Sequence, residues 1–291
     1  MTGVQTCALP ISFAIARHDP DLAPGDALGL FDRVAARQVQ LVAEWMGLGF
    51  VHGVMNTDNM AVSGETIDYG PCAFMEAYGE RTVFSSIDRH GRYAFHEQPR
   101  IAGWNLARFA EAILPLLHPE PDTAVARANA ALESFSARFQ GHWLAVMRGK
   151  LGLFTAEPED GPLAEALLRW MHGTGADYTH TFRNLRPSLE PSVSDDSVRL
   201  AWHQRWSDRL SRQPQSWTEV RRLMEAHNPA VIPRNHEVEA ALAAATTAND
   251  LRPLERLLSA LKRPYEDGGQ PASLLNPPPP GTPVCRTFCG T

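Results

Sequence analysis

The sequence predicts a mainly α fold of the α+β kind, with a few small β-hairpins set among long helices. Two observations predict it. Apolar residues recur at helical spacing along most of the chain, while the short runs that read as strands cluster between residues 49 and 68. A hydrophobic content of 44% over 291 residues supports a packed core, in one large domain or two smaller ones.

Taken in order, the first elements differ in character. Residues 1–11, from Met1 to Ile11, resemble the translation of a sequencing-adapter oligonucleotide joined to a gene fragment, and are set apart as a non-native scar. The alternative is a short natural leader; a signal peptide fits poorly, because there is no basic start and Pro10 and Ser12 break the apolar stretch. Asp26 caps a helix through about Gly47, with Leu30, Phe31, Val34, Val42, Trp45 and Met46 near helical spacing. Short strands follow over Gly49–His52, Met60–Val62 and Thr66–Asp68.

Trp104, Leu106, Phe109, Ile113 and Leu116 mark a second helix, perturbed near its end by Pro115. Residues 122–149 form a long third helix, and further helices fall near 162–173, 196–212, 216–226, 235–246 and 249–262. Trp143, Trp170, Trp202 and Trp206 read as core residues. Gly268, Gly269 and Pro277 to Pro280 make a flexible Pro-rich tail of residues 266–291, which ends in Cys285 and Cys289 and leaves residues 12–265 as the folded body.

The octet His52-Gly53-Val54-Met55-Asn56-Thr57-Asp58-Asn59, followed by Asp68-Tyr69-Gly70, carries the chemistry. Laid over the protein-kinase loop H-R-D-L-x-x-x-N, it matches at His52 and Asn59 and then continues close to the kinase D-F-G. The base position holds Val54, which can neither accept a proton nor bind a cation, whereas an acid, Asp58, stands beside the Asn. Two readings of Asp58 stand: a general base for a hydroxyl, or a carboxylate that orients Asn59 or a metal-bound water. His52 reads as a satisfied core residue, as in kinase-like loops. Gly70 and Pro71 shape the turn after Asp68, with Gly70 free to take positive φ.

These segments resemble the selenoprotein O family. The likeness is carried by His52–Asn59, by Thr66-Ile67-Asp68-Tyr69-Gly70-Pro71-Cys72, and by Asp88, Gly91, Arg92 and Tyr93. It continues in Gln98-Pro99, Trp104-Asn105-Leu106, Asp177-Tyr178-Thr179, Pro233-Arg234-Asn235-His236 and the terminal Arg286-Thr287-Phe288-Cys289-Gly290-Thr291. The family comprises pseudokinases that transfer AMP from ATP to protein hydroxyls. The resemblance therefore implies a protein-kinase-like C-lobe with small β-hairpins around the catalytic loop. It implies ATP as co-substrate, Mg²⁺ (with Mn²⁺ as an alternative), and protein substrates with Ser, Thr or Tyr hydroxyls. It makes Asn59 and Asp68 the metal ligands, with Asp68 also holding the ATP phosphates through the metal, and it leaves Asp58 as the candidate catalytic residue.

The resemblance also implies what is missing. The roughly fifty residues before His52 carry no G-x-G-x-x-G, since Gly25 and Gly29 stand isolated, so the N-lobe is expected to be absent and the chain to be a truncated, inactive piece. In the family, the terminal Cys position implies redox regulation. Cys285 and Cys289 are therefore either a redox pair or two inert thiols.

Residues 79–100 stand where an activation segment would, and Arg81, Arg89, His90, Arg92 and Arg100 make the segment basic, for substrate contact or simply as a solvated loop. It contains no cysteine for the tail to pair with. A net charge of −6 argues against nucleic-acid binding, and no apolar run approaches the roughly 20 residues needed to span a bilayer. The chain therefore reads as cytoplasmic, without a membrane partner. Two alternatives to adenylyl transfer stand beside it: kinase-type phosphoryl transfer, and a non-catalytic helical interaction module.

Overall fold

A computed structural model describes residues 3–185, 196–266, 268–279, 282 and 284–288. The first elements are helices α1 (Gly3–His18) and α2 (Ala27–Leu48), strand β1 (Phe50–Val51), a 3-10 turn at Thr57–Asn59, and strand β2 (Ala73–Phe74). After a second 3-10 turn at Phe95–Glu97 come α3 (Gln98–Leu117), α4 (Pro121–Leu151), α5 (Asp160–Thr174) and α6 (Tyr178–Arg183). The chain closes with α7 (Ser197–Ser211), α8 (Trp217–His227), α9 (Asn235–Ala248), α10 (Arg252–Leu261) and α11 (Ala272–Leu275). The fold is mainly helical, as expected. Among the described residues, no helix is long and apolar enough to cross a membrane.

Helix α2 starts where its cap predicts. The Asp26 carboxylate accepts from Gly29 N at 2.8 Å, satisfying a first-turn amide that has no intrahelical partner. It stops at Gly49, whose φ of 72° suits a residue without Cβ. One stripe of the helix, Leu30, Phe31, Val34, Val39 and Val42, is buried against α3 and α4. Ile11 and Ile15 of α1 join that core.

Helix α4 links two cores. Ala124, Ala128 and Phe135 close the first, while Met147 and Leu151 enter a second, built with Leu163, Met171, Phe182, Trp202, Trp206 and Met224. Trp202 and Trp206 stack at 5.8 Å, and their indole N–H groups donate to the carbonyls of Leu163 and Leu151. A smaller cluster holds Val231, Leu257, Ala260 and Leu274, which ties α11 to α10.

Most helices fall where periodicity places them, and three details differ. α3 begins at Gln98, ahead of Trp104, and runs past Pro115 to Leu117. The six-residue α6 is too short to show a helical period. The paired strands are Phe50–Val51 and Ala73–Phe74, in antiparallel register Phe50↔Phe74 and Val51↔Ala73. Met60 and Thr66 make only an isolated bridge. A strand of two residues carries no alternation to read.

A buried ionic cluster fastens α4, α5 and α7. The Asp160 carboxylate, fully buried, accepts from Arg209 Nε at 2.8 Å, Arg148 Nε at 2.6 Å and Glu157 N at 2.9 Å. Burial alone would raise its pKa, but the hydrogen bonds from Arg209, Glu157 N and Arg148 overcome that and hold the carboxyl below its usual value. The native state therefore binds this proton more weakly than the unfolded chain. The associated stability is full above the unfolded pKa of about 3.9 and is lost as pH falls through the lower folded value. Arg209→Ala strands the charge and should cost about 3–5 kcal/mol at neutral pH, read by chemical denaturation. The deficit should shrink in acid, where Asp160 takes up a proton; a deficit that does not change with pH would show that lost packing, and not the stranded charge, destabilises the variant.

Candidate active site

The octet lies in the long connection between β1 and β2, from His52 to Cys72. His52 is fully buried. Its Nδ1 accepts from Val54 N, which leaves Nε2–H to donate to Ile67 O at 2.8 Å. Burial lowers its pKa, with the Ile67 hydrogen bond opposing, so the ring is neutral near pH 7 and its role is structural. Gly53 has φ 86°, and a Cβ there would meet Pro71 O at 2.5 Å. Only glycine lets the two arms of the loop touch at that point.

Side chains from within and beyond the loop satisfy its backbone groups. Gln98 accepts from His52 N and donates to Phe50 O, each at 3.0 Å. Asn105 of α3 donates to Met55 O at 2.9 Å, and Gln38 of α2 donates to Ala61 O at 2.6 Å. The Tyr93 hydroxyl donates to Asn56 Oδ1 at 2.6 Å. Tyr93 is itself held by Asp88, which accepts from the amides of Arg92 and Tyr93 at 2.8 Å each.

This frame presents the Thr57–Asn59 turn at the surface. Asp58 is exposed there. Asn59 Nδ2 donates to Val54 O at 3.0 Å and to Asp68 Oδ2 at 2.9 Å. Both partners are acceptors, which fixes which end of the amide is nitrogen. Asn59 Oδ1 then has no protein partner among the described residues. The Asn59 amide and the Asp68 carboxylate thus meet through the amide nitrogen, and the Asn59 oxygen and the carboxylate are hard-oxygen groups of the kind that suits a cation taking its other ligands from phosphate and water. No group of three or more His, Cys, Asp or Glu comes together to hold a metal among the described residues.

Asp68, not Gly70, takes the left-handed backbone, with φ 58°, which corrects the expectation for this turn. A short polar side chain such as Asp tolerates that region better than most residues, at some cost. The Cys72 thiol donates to Tyr69 O at 3.1 Å, and burial pushes its pKa up to about 11, so it stays protonated.

The residues of the activation-like segment divide. Arg100 pairs with Glu97, and Arg92 lies 4.8 Å over the Trp104 ring. Arg81, Arg89 and His90 are exposed. Arg234, almost fully buried, donates to both Glu76 and Asp177, and Asn235 Nδ2 donates to Phe74 O at 3.0 Å. Asp177 also caps α6, so these residues pin the chain just after β2.

The tail reaches the same region. Thr287 pairs with Ser85 as a parallel bridge, and its hydroxyl donates to Pro71 O. Cys285 is half-buried, its thiol raised in pKa by burial and by Glu239. Cys289 lies outside the described residues. The bracing by Gln98, Asn105, Tyr93 and Arg234 had no role assigned in the sequence reading. Their signal was present in the segments that carry the resemblance, but a hydrogen bond between residues fifty positions apart has no local pattern.

Comparison with known proteins agrees with the motif reading. A family model described as "Protein adenylyltransferase SelO" matches residues 13–262. Curated relatives named "Protein nucleotidyltransferase YdiU" are 51% identical in Rhizobium johnstonii, over 99% of this chain and 59% of the relative. The Nitrosococcus oceani relative is 52% identical, over 96% and 57%. The one from Syntrophotalea carbinolica is 50% identical, over 99% and 59%. The chain thus spans less than two thirds of the length of these relatives. They align along nearly all of it, which lends no support to the expectation that it is inactive.

Gly53→Ala forces a Cβ into both a left-handed backbone and the Pro71 carbonyl. It should cost about 1–3 kcal/mol and lower Tm. Thermal denaturation checks this, and an unchanged Tm would mean that the two arms of the loop do not meet as described.

Proposed function

We propose that this chain, which belongs to the protein adenylyltransferase SelO family, carries the cation-binding and base-bearing part of an enzyme that moves AMP from ATP to Ser, Thr or Tyr hydroxyls of proteins. Mg²⁺ is the expected metal, with Mn²⁺ able to replace it. The observation that carries the reading is the 2.9 Å bond between Asn59 and Asp68, with Asp58 exposed on the adjoining turn. The surrounding lobe is read as kinase-like, because a long helix, a short strand, the loop and a second strand follow one another in kinase order.

Each residue has a separate task. Asn59 Oδ1 and the Asp68 carboxylate would hold the cation, whose charge offsets that of the nucleotide phosphates. Asp58 would accept the proton of the target hydroxyl as its oxygen bonds to the α-phosphorus and pyrophosphate leaves. Val54 cannot take this part: it is buried, and its carbonyl is already committed to Asn59. Neither Cys72 nor Cys285 serves as a nucleophile in this reading, since both thiols are held protonated.

In the whole enzyme, on which this and the following transfer measurements are made, ATP labelled on the α- or the γ-phosphate separates the chemistries. Transfer of the α label to protein is expected, whereas transfer of the γ label alone would make the enzyme a kinase. Asp58→Asn should cut turnover by roughly 10²–10⁴-fold while leaving Mg²⁺–ATP affinity nearly intact. A matching loss of affinity would return Asp58 to the role of orienting Asn59.

Asp68→Ala should abolish transfer and also weaken Mn²⁺ binding, followed by paramagnetic resonance without nucleotide turnover. Unchanged Mn²⁺ binding in that variant would remove Asp68 from the metal site.

A further inference from the structure

We propose that the backbone edge at residues 84–86 is the docking site for an extended segment of the protein substrate, and that the chain's own tail holds this edge until a substrate takes it. The nature of the occupant rests on the adenylyltransferase reading; the docking edge does not.

Two main-chain groups define the edge. Phe84 O accepts from Thr287 N, and Ser86 N donates to Thr287 O, each at 2.9 Å. Together they make the parallel bridge between Ser85 and Thr287. Among the described residues, nothing else bonds either group. Without a strand there, a donor and an acceptor stand open, which is the template that strand addition uses.

The tail is a loose occupant of this edge. Val284 and Phe288 are 75% and 69% exposed, so its larger apolar side chains gain little from the contact. A cavity of about 800 Å³ lies between Pro277, Val284 and Cys285 of the tail and Met75, Phe84 and Asn235 of the body. A strand built permanently into a core would fill such space. The tail is held instead by the two main-chain bonds, by the Thr287 hydroxyl on Pro71 O and by Cys285 against the second core. Another extended segment can make the same main-chain bonds in its place.

The edge adjoins the proposed metal site, since Pro71 follows closely on Asp68 in the same loop. In an extended strand, alternate side chains share a face. Thr287 and Cys285 therefore face the body, whereas Arg286 and Phe288 are exposed. An occupant thus presents a hydroxyl residue in the place of Thr287 and an apolar residue, two positions earlier, in the place of Cys285. An acid in that earlier place would meet the Glu239 carboxylate, which lies 3.9 Å from the Cys285 thiol.

Fluorescence anisotropy on the full chain, without nucleotide, reads docking apart from any transfer. The probe is the labelled peptide Ala-Val-Leu-Arg-Ser-Phe-Ala. In the intact chain the tethered tail competes at a high effective concentration. Thr287→Pro removes the N–H that bonds Phe84 O and should raise affinity for the probe at least about tenfold. Replacing Ser by Pro in the peptide should abolish binding, and replacing Leu by Asp should weaken it about tenfold. In the unaltered chain, excess peptide should shift the amide resonances of Ser86 and Thr287 together, a readout that does not depend on how the variant folds. Equal affinity in wild type and Thr287→Pro, undiminished binding of the Pro peptide, or amides unmoved by millimolar peptide would each overturn the docking edge. Dimers of the chain that the peptide dissolves would give the edge to the tail of a second copy and overturn the substrate assignment. In the whole enzyme, the α label should pass to the Leu peptide in preference to its Asp form. Equal transfer to both would also overturn the assignment, whereas docking with no transfer to any protein would fault the adenylyltransferase reading and leave the edge a peptide site.

Discussion

Two strands of two residues each cannot hold a connection running from His52 to Cys72 in shape by ladder hydrogen bonds alone. Its amides and carbonyls still need partners once the surrounding helices exclude water. The protein meets that need with side chains. Gln98 serves Phe50 and His52, Asn105 serves Met55, Asn59 serves Val54, Gln38 serves Ala61, and His52 serves Ile67. Four of these five are carboxamides, which offer donor and acceptor without charge. A charged group in the same places would carry a desolvation cost that nothing nearby offsets.

That arrangement couples the site to the helices. α2 and α3 are anchored by apolar burial; α2 sends one amide side chain to the loop, Gln38, and α3 sends two, Gln98 and Asn105. A shift of either helix is therefore felt at Met55 or Ala61, on either side of the turn that carries Asp58 and Asn59. On the far side, Arg234 joins Glu76 to Asp177 and holds the chain that leaves β2. The loop is thus fixed at its entry, its middle and its exit by elements that make no chemistry of their own.

Legibility in the sequence followed the range of the interaction. The Asp26 cap, the α2 stripe and the long α4 rest on neighbours within a turn or two, and periodicity finds them. The match of His52 and Asn59 to a kinase spacing led to Asp68, and the structure places Asn59 and Asp68 in direct contact. The pairing of β1 with β2 was not legible, because a two-residue strand has no alternation and its partner lies beyond the loop. Nor was the left-handed residue at Asp68, since glycine at position 70 is the stronger local signal. The clamps from Gln98, Asn105 and Arg234 depend on tertiary approach, which spacing along the chain does not encode.

The exposure of Asp58, and the burial of Val54, have a structural reason. The position where a kinase carries its base holds Val54, 5% exposed, and the use made of that residue is its backbone carbonyl, which receives the Asn59 amide. A carboxylate there would face apolar neighbours and would compete with its own backbone for the same donor. Asp58, in contrast, sits on the exposed face of a 3-10 turn whose first carbonyl, that of Asn56, accepts from Asn59 N at 3.0 Å. One turn therefore exposes a carboxylate and aims the next residue inward at Asp68. Once Asn59 is bound to Val54 and Asp68 together, the acid preceding it in the chain is the one the turn leaves in solvent. The proposed place of the base, at position 58 and not at 54, is consistent with how this loop packs.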